Sequence, residues 1–419
     1  MAQGSTKVRI VGGGLTGVLA ALQAHSLGWR RIELHERFGE LGGSDLPRLD
    51  HGLELRGRPC RFGGPGDPVR ALLESHGLAF EDAENRAGSV SPTPCGDVAA
   101  VHDFAGPALR ARQIALSART GESLADRLRA YPADIAQPLT RYLQWRLGAW
   151  LDEVHAAAAV GLGVDQVFPT GGVVADLALA RRACALHAEL YAIPRALCGR
   201  LDDTVVGVPS GGFTGLFAGA RRALERLGVS VRLDSLVAPG QALADHAPGD
   251  ALVWTADPAP LFALAGIEAP RQMGRSLATH VFKARYAGPV PFVLRNFTAQ
   301  GAVCEIHLYE SRGQVLLTAR CVTETSDADL RREIHRLMSS FGGASLHLGE
   351  QMLSTVGPQE SCLTIDGARK LKAMRIGLQR RFGAGFIDTG WICAHENERL
   401  ASIATGLDQA REAPETVAA

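Results

Sequence analysis

The residues best suited to chemistry lie at the front of the chain, where Gly12, Gly14 and Gly17 stand at G-x-G-x-x-G spacing. Gly12 permits a tight turn, Gly14 lets backbone approach a diphosphate, and Gly17 lets a helix pack closely on the strand before it. An apolar run at residues 8–11 precedes the glycines, a helical stretch at 18–27 follows, and Gly28 ends it. A second apolar run, Ile32-Glu33-Leu34, leads to Glu36, 19 residues beyond Gly17. A carboxylate there accepts hydrogen bonds from ribose hydroxyls and repels a 2′-phosphate, which disfavours NADP. The strand–turn–helix–strand context separates a dinucleotide site from a merely structural glycine turn. The first-turn amides of Leu15, Thr16 and Gly17 sit at the positive end of the helix dipole, where phosphates bind.

Glu36 is followed by Arg37-Phe38-Gly39-Glu40-Leu41-Gly42-Gly43-Ser44. This extension, an acid and then a Gly-Gly pair, resembles the amine oxidase superfamily of flavoproteins. That group includes amine oxidases, phytoene desaturases, protoporphyrinogen oxidases and, more distantly, UDP-galactopyranose mutases. The resemblance implies FAD as the cofactor, with Gly42 and Gly43 near its diphosphate and flavin end and Arg37 and Ser44 beside them. It continues in residues 205–260, where Pro209-Ser210-Gly211-Gly212 precedes a helix at 218–227, Gly228 and an alternating strand at 229–233. Relatives hold the adenine with a backbone amide just past this strand, and Val237 is the matching position. It resumes in residues 384–410, where Phe386-Ile387-Asp388 reads as a strand ending in an acid beside the ribityl chain. Ser402-Ile403-Ala404-Thr405-Gly406 is then expected to open a closing helix aimed at the flavin N1–C2=O edge.

The resemblance admits two uses of a flavin. In the leading one, an FAD-dependent oxidoreductase passes a hydride from a small molecule to flavin N5. The alternative is a non-redox sugar-nucleotide rearrangement through reduced flavin, as in the mutases. Gly207-Val208-Pro209-Ser210-Gly211-Gly212-Phe213-Thr214 is similar to the mutases' G-x-P-x-x-G-Y-T segment, and the order of 253–258 and 274–277 also matches. The mutases' histidine-rich stretch has no counterpart near Cys60-Arg61-Phe62, and no tyrosine follows Tyr309 to meet a sugar diphosphate.

Candidate catalytic groups are weighed against plain structural roles. His395 stands in a polar run, His395-Glu396-Asn397-Glu398-Arg399, that could handle a proton at the flavin or simply cap the last helix. Arg275 could hold an anionic substrate or form a surface ion pair. His51, after Asp50, could act beneath the flavin or be a buried, hydrogen-bonded histidine. Arg48 and Arg61 could neutralise diphosphate or substrate, and Trp391 could stack on the flavin or fill the core. The eight cysteines form no C-x-x-C and no zinc spacing, so no metal is expected.

These groups need two frames to position them. A chain of 419 residues exceeds the roughly 250–300 that one core supports. The expected fold is α/β. A Rossmann-like FAD domain (1–70, 200–260, 355–412) is interrupted by a substrate domain (71–199, 261–354) of helices over an antiparallel sheet, with a flexible tail at 413–419. Leucines at 109–147 recur at helical steps, with Pro132 and Pro138 expected to cut them into separate helices, and 173–191 reads as a further helix. Strands of period two follow at 276–322. Lys+Arg and Asp+Glu are equal at 44 each, so nothing points to nucleic acid. The polar N-terminus, the absence of any long apolar run and the scattered thiols suggest a cytoplasmic protein without a transmembrane segment, acting on a small-molecule substrate. The Ala- and Arg-rich helices suggest a bacterial source, and homodimer assembly stays open.

Overall fold

The computed structural model describes residues 6–58, 62–84, 86–92, 98–102, 121–131, 133–164, 190, 205–339, 341, 346–359, 362–393 and 395–412. The fold is α/β: among the described residues there are a five-stranded parallel sheet, a seven-stranded mainly antiparallel sheet and two two-stranded antiparallel pairs.

The parallel sheet is assembled from distant parts of the chain. β1 (Lys7–Val11) lies between β2 (Arg31–His35) and β10 (Ala251–Trp254); β9 (Ser230–Arg232) extends the sheet beyond β2, and β16 (Phe386–Ile387) beyond β10. Ala251, Leu252, Val253 and Trp254 are all buried, as a strand covered on both faces requires. Helix α1 (Leu15–Ser26) packs with α11 (Glu396–Glu412) beside the sheet. Their leucines and isoleucines, among them Leu19, Leu22, Ile403 and Leu407, share one core with Val8, Ile10 and Val253. Helix α6 (Gly212–Arg226) adds Phe213, Leu216 and Phe217 to it, and begins at Gly212 rather than at the expected residue 218.

The second sheet has the order β15-β11-β14-β13-β12-β6-β7. Its members are β6 (Arg86–Pro92), β7 (Val98–His102), β11 (Ser276–Tyr286), β12 (Phe292–Asn296), β13 (Val303–Ser311), β14 (Gln314–Cys321) and β15 (Leu346–Gln359). It is antiparallel except where β6 runs parallel to β12. That junction joins strands some 200 residues apart in sequence, so no hairpin dictates its direction. β15 continues to Gln359, across the domain boundary expected at residue 355. β5 (Phe80–Glu84) leaves this sheet altogether and pairs with β8 (Val205–Pro209).

One face of the second sheet is apolar and packs on α9 (Asp327–Ser339) through Leu330, Ile334, Leu337 and Met338. The other carries a cross-strand polar row: Arg295 on β12 faces Glu305 on β13, which faces Arg320 on β14. Above that face lie α3 (Leu124–Arg129) and α4 (Ala133–Leu147), whose Leu139, Tyr142 and Leu143 pack with Leu277, Phe297 and Cys304. Pro138 sits inside α4 instead of ending it. Its ring removes one hydrogen bond, which burial of the apolar stripe around Leu139 and Leu143 outweighs. The expected helix at 173–191 and the leucine-rich start at 109–116 lie outside the described residues, Leu190 excepted. Among the described residues, no helix is long and apolar enough to cross a membrane.

Candidate functional site

The turn after β1 is set by its glycines. Gly12 has φ +109 and donates its N–H to the His35 carbonyl at 2.8 Å. A Cβ there would stand 2.7 Å from the Ala256 nitrogen, and one on Gly17 would overlap the Gly12 carbonyl oxygen. Both positions therefore exclude a side chain on packing grounds alone. Gly14 differs: its φ is −68, and a Cβ there would find only the Gly42 carbonyl, at 3.9 Å. Among the described residues, nothing else stands within 4 Å of that position.

Around that space the backbone is arranged to receive an anion. Gly14 is the N-cap of α1, makes no side-chain cap, and is followed by no acidic residue in the first turn. The amides of Leu15, Thr16 and Gly17 are thus beyond the reach of intrahelical acceptors. The Gly42-Gly43 turn closes the opposite side: Gly42 N–H bonds the Gly13 carbonyl at 2.9 Å, and Gly42 and Gly43 have φ +124 and +54. Arg58 reaches over this turn to Ser44 Oγ at 3.1 Å and Asp45 Oδ1 at 2.6 Å. Glu36 is buried and accepts from Gly13 N at 2.7 Å and Phe38 N at 2.9 Å, which fixes its carboxylate at the end of β2. Each oxygen keeps a further lone pair for a hydroxyl. Open glycine, donor-only helix start and fixed acid fit a dinucleotide diphosphate and ribose.

A second carboxylate organises α6. Glu54, on β4 (Leu53–Leu55), which pairs with β3 (Arg48–Asp50), accepts from Phe213 N at 3.1 Å, Thr214 N at 2.8 Å and Arg56 Nη2 at 2.9 Å. Burial pushes its pKa up, but the Thr214 amide and the Arg56 guanidinium outweigh burial and hold it below the usual carboxylate range. Gly212 has φ +70 and would place a Cβ 2.5 Å from Glu54 Oε1, so glycine is required there too.

A cavity of about 490 Å³ opens between the starts of α1 and α11 and the polar row of the second sheet. Its size suits a small organic ligand. Leu15, Asp45, Arg58, Phe62 and Asp67 line it from the cofactor side, together with His395, Glu396 and Asn397 at the start of α11. Arg146, Arg295, Arg320 and Glu305 line it from the substrate side. Arg146 lies at the end of α4, 1% exposed, and donates to Tyr142 Oη at 3.1 Å and the Leu162 carbonyl at 2.9 Å. Burial pushes the Tyr142 phenol up to about 12, so it remains a neutral partner of that guanidinium. Asn397 donates to Asp67 Oδ2 at 2.8 Å, and Thr16 Oγ1 to Glu396 Oε2 at 3.3 Å.

Of the three candidate catalytic side chains, only His395 reaches this cavity. His51 sits at the tip of the β3–β4 hairpin with φ +47 and its side chain 84% exposed beside Asp50, so it is neither buried nor beneath the site. Arg275 is exposed and lies against Gly148, where an added Cβ would stand 2.5 Å from its Nε. Arg48 is exposed on β3, and Arg61 lies outside the described residues. Arg37 stacks on Phe38, its guanidinium carbon 4.5 Å from the ring centroid. Val237 is buried with Val11, Ala242 and Trp254. Asp388 is bound by Arg375 at 2.5 Å and by Gly390 N at 2.9 Å, beside a smaller cavity that also holds Trp391. The closing helix begins at Glu396, six residues before Ser402. Ser402 and Ile403 therefore fall inside it: Ser402 Oγ bonds the Asp388 carbonyl at 3.0 Å, and Ile403 is fully buried. Their amides are within intrahelical range, and the helix start belongs to Glu396 and Asn397 and to His395, whose N–H donates to Glu398 Oε2 at 3.4 Å.

Sequence reasoning passed over Arg146, Arg295, Glu305 and Arg320. The signal was available for one of them: Arg146 falls on the leucine stripe of α4, seven residues after Leu139.

Fold and site define a class, a Rossmann-like dinucleotide cradle opening onto a cavity under a second, mainly antiparallel sheet. Solved structures share this architecture. The chain is similar to a putative protoporphyrinogen oxidase from Exiguobacterium sp. 255-15 at TM-score 0.60 and 15% identity, over 97% of this chain and 99% of that one. It is similar to a reduced UDP-galactopyranose mutase at TM-score 0.62 and 12% identity, over 96% and 95% of the two chains. It is also similar to a putrescine oxidase at TM-score 0.55 and 14% identity, over 97% and 98%. No protein-family model matches the sequence, and no curated protein does. At these identities the likeness establishes the fold, the one that the sequence resemblance implied.

Proposed function

We propose that this protein is an FAD-dependent oxidoreductase of the amine oxidase superfamily that oxidises a small molecule in the cavity of about 490 Å³. The observation that carries the reading is the uncapped, acid-free start of α1, held open by Gly14 and faced by the Gly42-Gly43 turn. The amides of Leu15, Thr16 and Gly17 would hold the diphosphate, with Gly12, Gly42, Gly43 and Ser44 shaping the turn around it. Glu36 would bind the ribose and Arg37 flank it, while Val237 backbone would meet the adenine. Asp388, with Ser402 and Ile403 behind it, would support the far end. When bound, the flavin supplies a hydride acceptor.

The chain's own contribution is binding, shielding and proton handling. Phe62, Val69 and Val160 supply the apolar part of the cavity lining. His395, which lines the cavity, would take or return the proton that accompanies hydride loss.

Purified protein should be yellow and release FAD on denaturation. Anaerobic addition of substrate should bleach it, and oxygen or another acceptor should restore the colour. A colourless protein that refuses FAD ends this reading. Turnover only after dithionite reduction, with no net electron consumption, would replace it with a non-redox reaction.

A further inference from the structure

Two arginines follow β4 and end in opposite conditions. Arg56 is buried; it bonds Glu54 at 2.9 Å and lies between the rings of Phe213 and Tyr309, 4.8 and 4.9 Å from their centroids. Arg58, next but one, has a side chain 54% exposed. Its guanidinium crosses the turn that faces Gly14. Both of its hydrogen bonds, to Ser44 Oγ at 3.1 Å and Asp45 Oδ1 at 2.6 Å, leave from Nη2. Among the described residues, Nη1 and Nε make none, so donors remain on the same guanidinium.

This arm stands where the cradle meets the cavity. Gly42 is bridged to Gly14, and a Cβ on Gly43 would stand 3.4 Å from the Gly14 Cα. Ser44 and Asp45 follow directly, and Leu15, Asp45 and Arg58 line one cavity. A crevice of about 50 Å³ is also lined by Ser44, Asp45, Gly57 and Arg58, which gives the arm room to turn. The cradle itself holds no cation: neither residues 12–17 nor residues 42–45 include an arginine or lysine. The start of α1 offers only about half a positive charge, while a dinucleotide diphosphate is a dianion. Acids line the same wall, Asp45, Asp67 and Glu396. Asp67 caps helix α2 (Pro68–Ser75) through Arg70 N at 3.0 Å, and Glu396 accepts from Thr16 at 3.3 Å and Arg399 at 3.1 Å. Arg37 is stacked on Phe38. Arg58 is therefore the arginine that borders both the cradle and the cavity.

We propose, on the reading of the cradle as an FAD site, that Arg58 is the counter-ion of the dinucleotide diphosphate, laid across the Gly42-Gly43 turn and braced by Ser44 and Asp45. A guanidinium presents planar N–H donors that fit phosphate oxygens. Ser44 then acts through Arg58 rather than on the cofactor, and Asp45 positions the guanidinium while that guanidinium cancels its charge. Because the arm is exposed, it closes on the diphosphate after the dinucleotide has entered, and its opening is a step in cofactor release.

The test follows FAD release from the holoprotein by the rise of free-flavin fluorescence, then titrates ADP and adenosine into the same full-length protein once its flavin has gone. Arg58→Gln should speed FAD release and weaken ADP binding by about tenfold each, the worth of one charge-assisted contact, while adenosine binds as it does to wild type. Added salt should weaken ADP binding to wild type more than to Arg58→Gln. Ser44→Ala should weaken ADP binding by about threefold in wild type and change nothing further in Arg58→Gln, because its effect passes through the guanidinium. Should Arg58→Gln fail to fold, Arg58→Lys keeps the charge without the fork and is expected to bind ADP with intermediate affinity. A mere brace for the turn would change ADP and adenosine binding equally, or lower the melting temperature with ADP binding intact; either result overturns the proposal. Wild type that holds FAD, with release unchanged in Arg58→Gln, ends the role of Arg58 alone. Wild type that takes neither FAD nor ADP ends the flavin reading and this role together, whereas Arg58-dependent ADP binding in a protein that refuses FAD ends the flavin reading and keeps the diphosphate contact.

Discussion

Helices α1 and α11 start side by side, joined by the Thr16–Glu396 hydrogen bond, yet their first turns are opposite in chemistry. α1 has a glycine N-cap, no capping side chain and no acid; α11 has Glu396 and Glu398 in its first turn. Both carry the same backbone dipole. In α1 the positive end stays available to an outside anion, whereas in α11 the chain's own carboxylates answer it. α6 is a third solution: its start is held by Glu54, a carboxylate brought from another strand. A helix N-terminus becomes a ligand site only where the chain withholds its own acids. A closing helix aimed at the flavin N1–C2=O edge, as the resemblance implies, would therefore bring the opposing charge of Glu396 with its dipole.

Substitutions can break or sharpen this contrast. The largest effect is expected for Gly17→Ala, whose Cβ overlaps the Gly12 carbonyl; about 3 kcal/mol of stability should be lost, read by thermal or urea unfolding. Gly14→Ala is the decisive companion. Its Cβ has room in the protein, so stability should change by less than about 0.5 kcal/mol while FAD affinity falls by roughly tenfold to a hundredfold. Unchanged FAD affinity would show that the space at Gly14 is not the diphosphate site. Glu54→Gln removes a charge that accepts from two helix amides and Arg56, and should cost about 1.5–3 kcal/mol at neutral pH. Because the folded-state pKa of Glu54 is depressed, its contribution is present above the ordinary carboxylate pKa and is lost as pH falls through the folded value. The difference between wild type and Glu54→Gln should therefore narrow on acidification in paired unfolding curves. The smallest effect is expected for Glu396→Gln, which should raise the midpoint potential of the bound flavin by on the order of 10–20 mV. A potential that falls or stays fixed would place Glu396 too far from the ring to matter.

The cradle could be read from the sequence because it is local. Gly12, Gly14 and Gly17 answer to backbone geometry within a single turn, and Glu36 lies one strand away. The same locality made β1, α1, β2 and β10 readable, each from a short stretch of glycine, apolar run or acid. What could not be read was long-range. His51 looked like a site residue because it follows an acid on a segment assigned to the flavin, and only the hairpin turned it outward. The start of α11 was missed because Ser402 is a better N-cap by residue type than His395; burial of Leu400 and Ile403 against the first core extends the helix back to Glu396.

By itself the sequence determined an α/β chain with a dinucleotide turn, since each of those features is written in neighbouring residues and enforced by backbone sterics. The cavity belongs to the tertiary structure alone. Arg146 comes from a helix, Arg295, Glu305 and Arg320 from three adjacent strands, and His395 from the far end of the chain. No spacing in the sequence encodes that meeting, because strand register and the packing of α4 over the second sheet decide which side chains share one space.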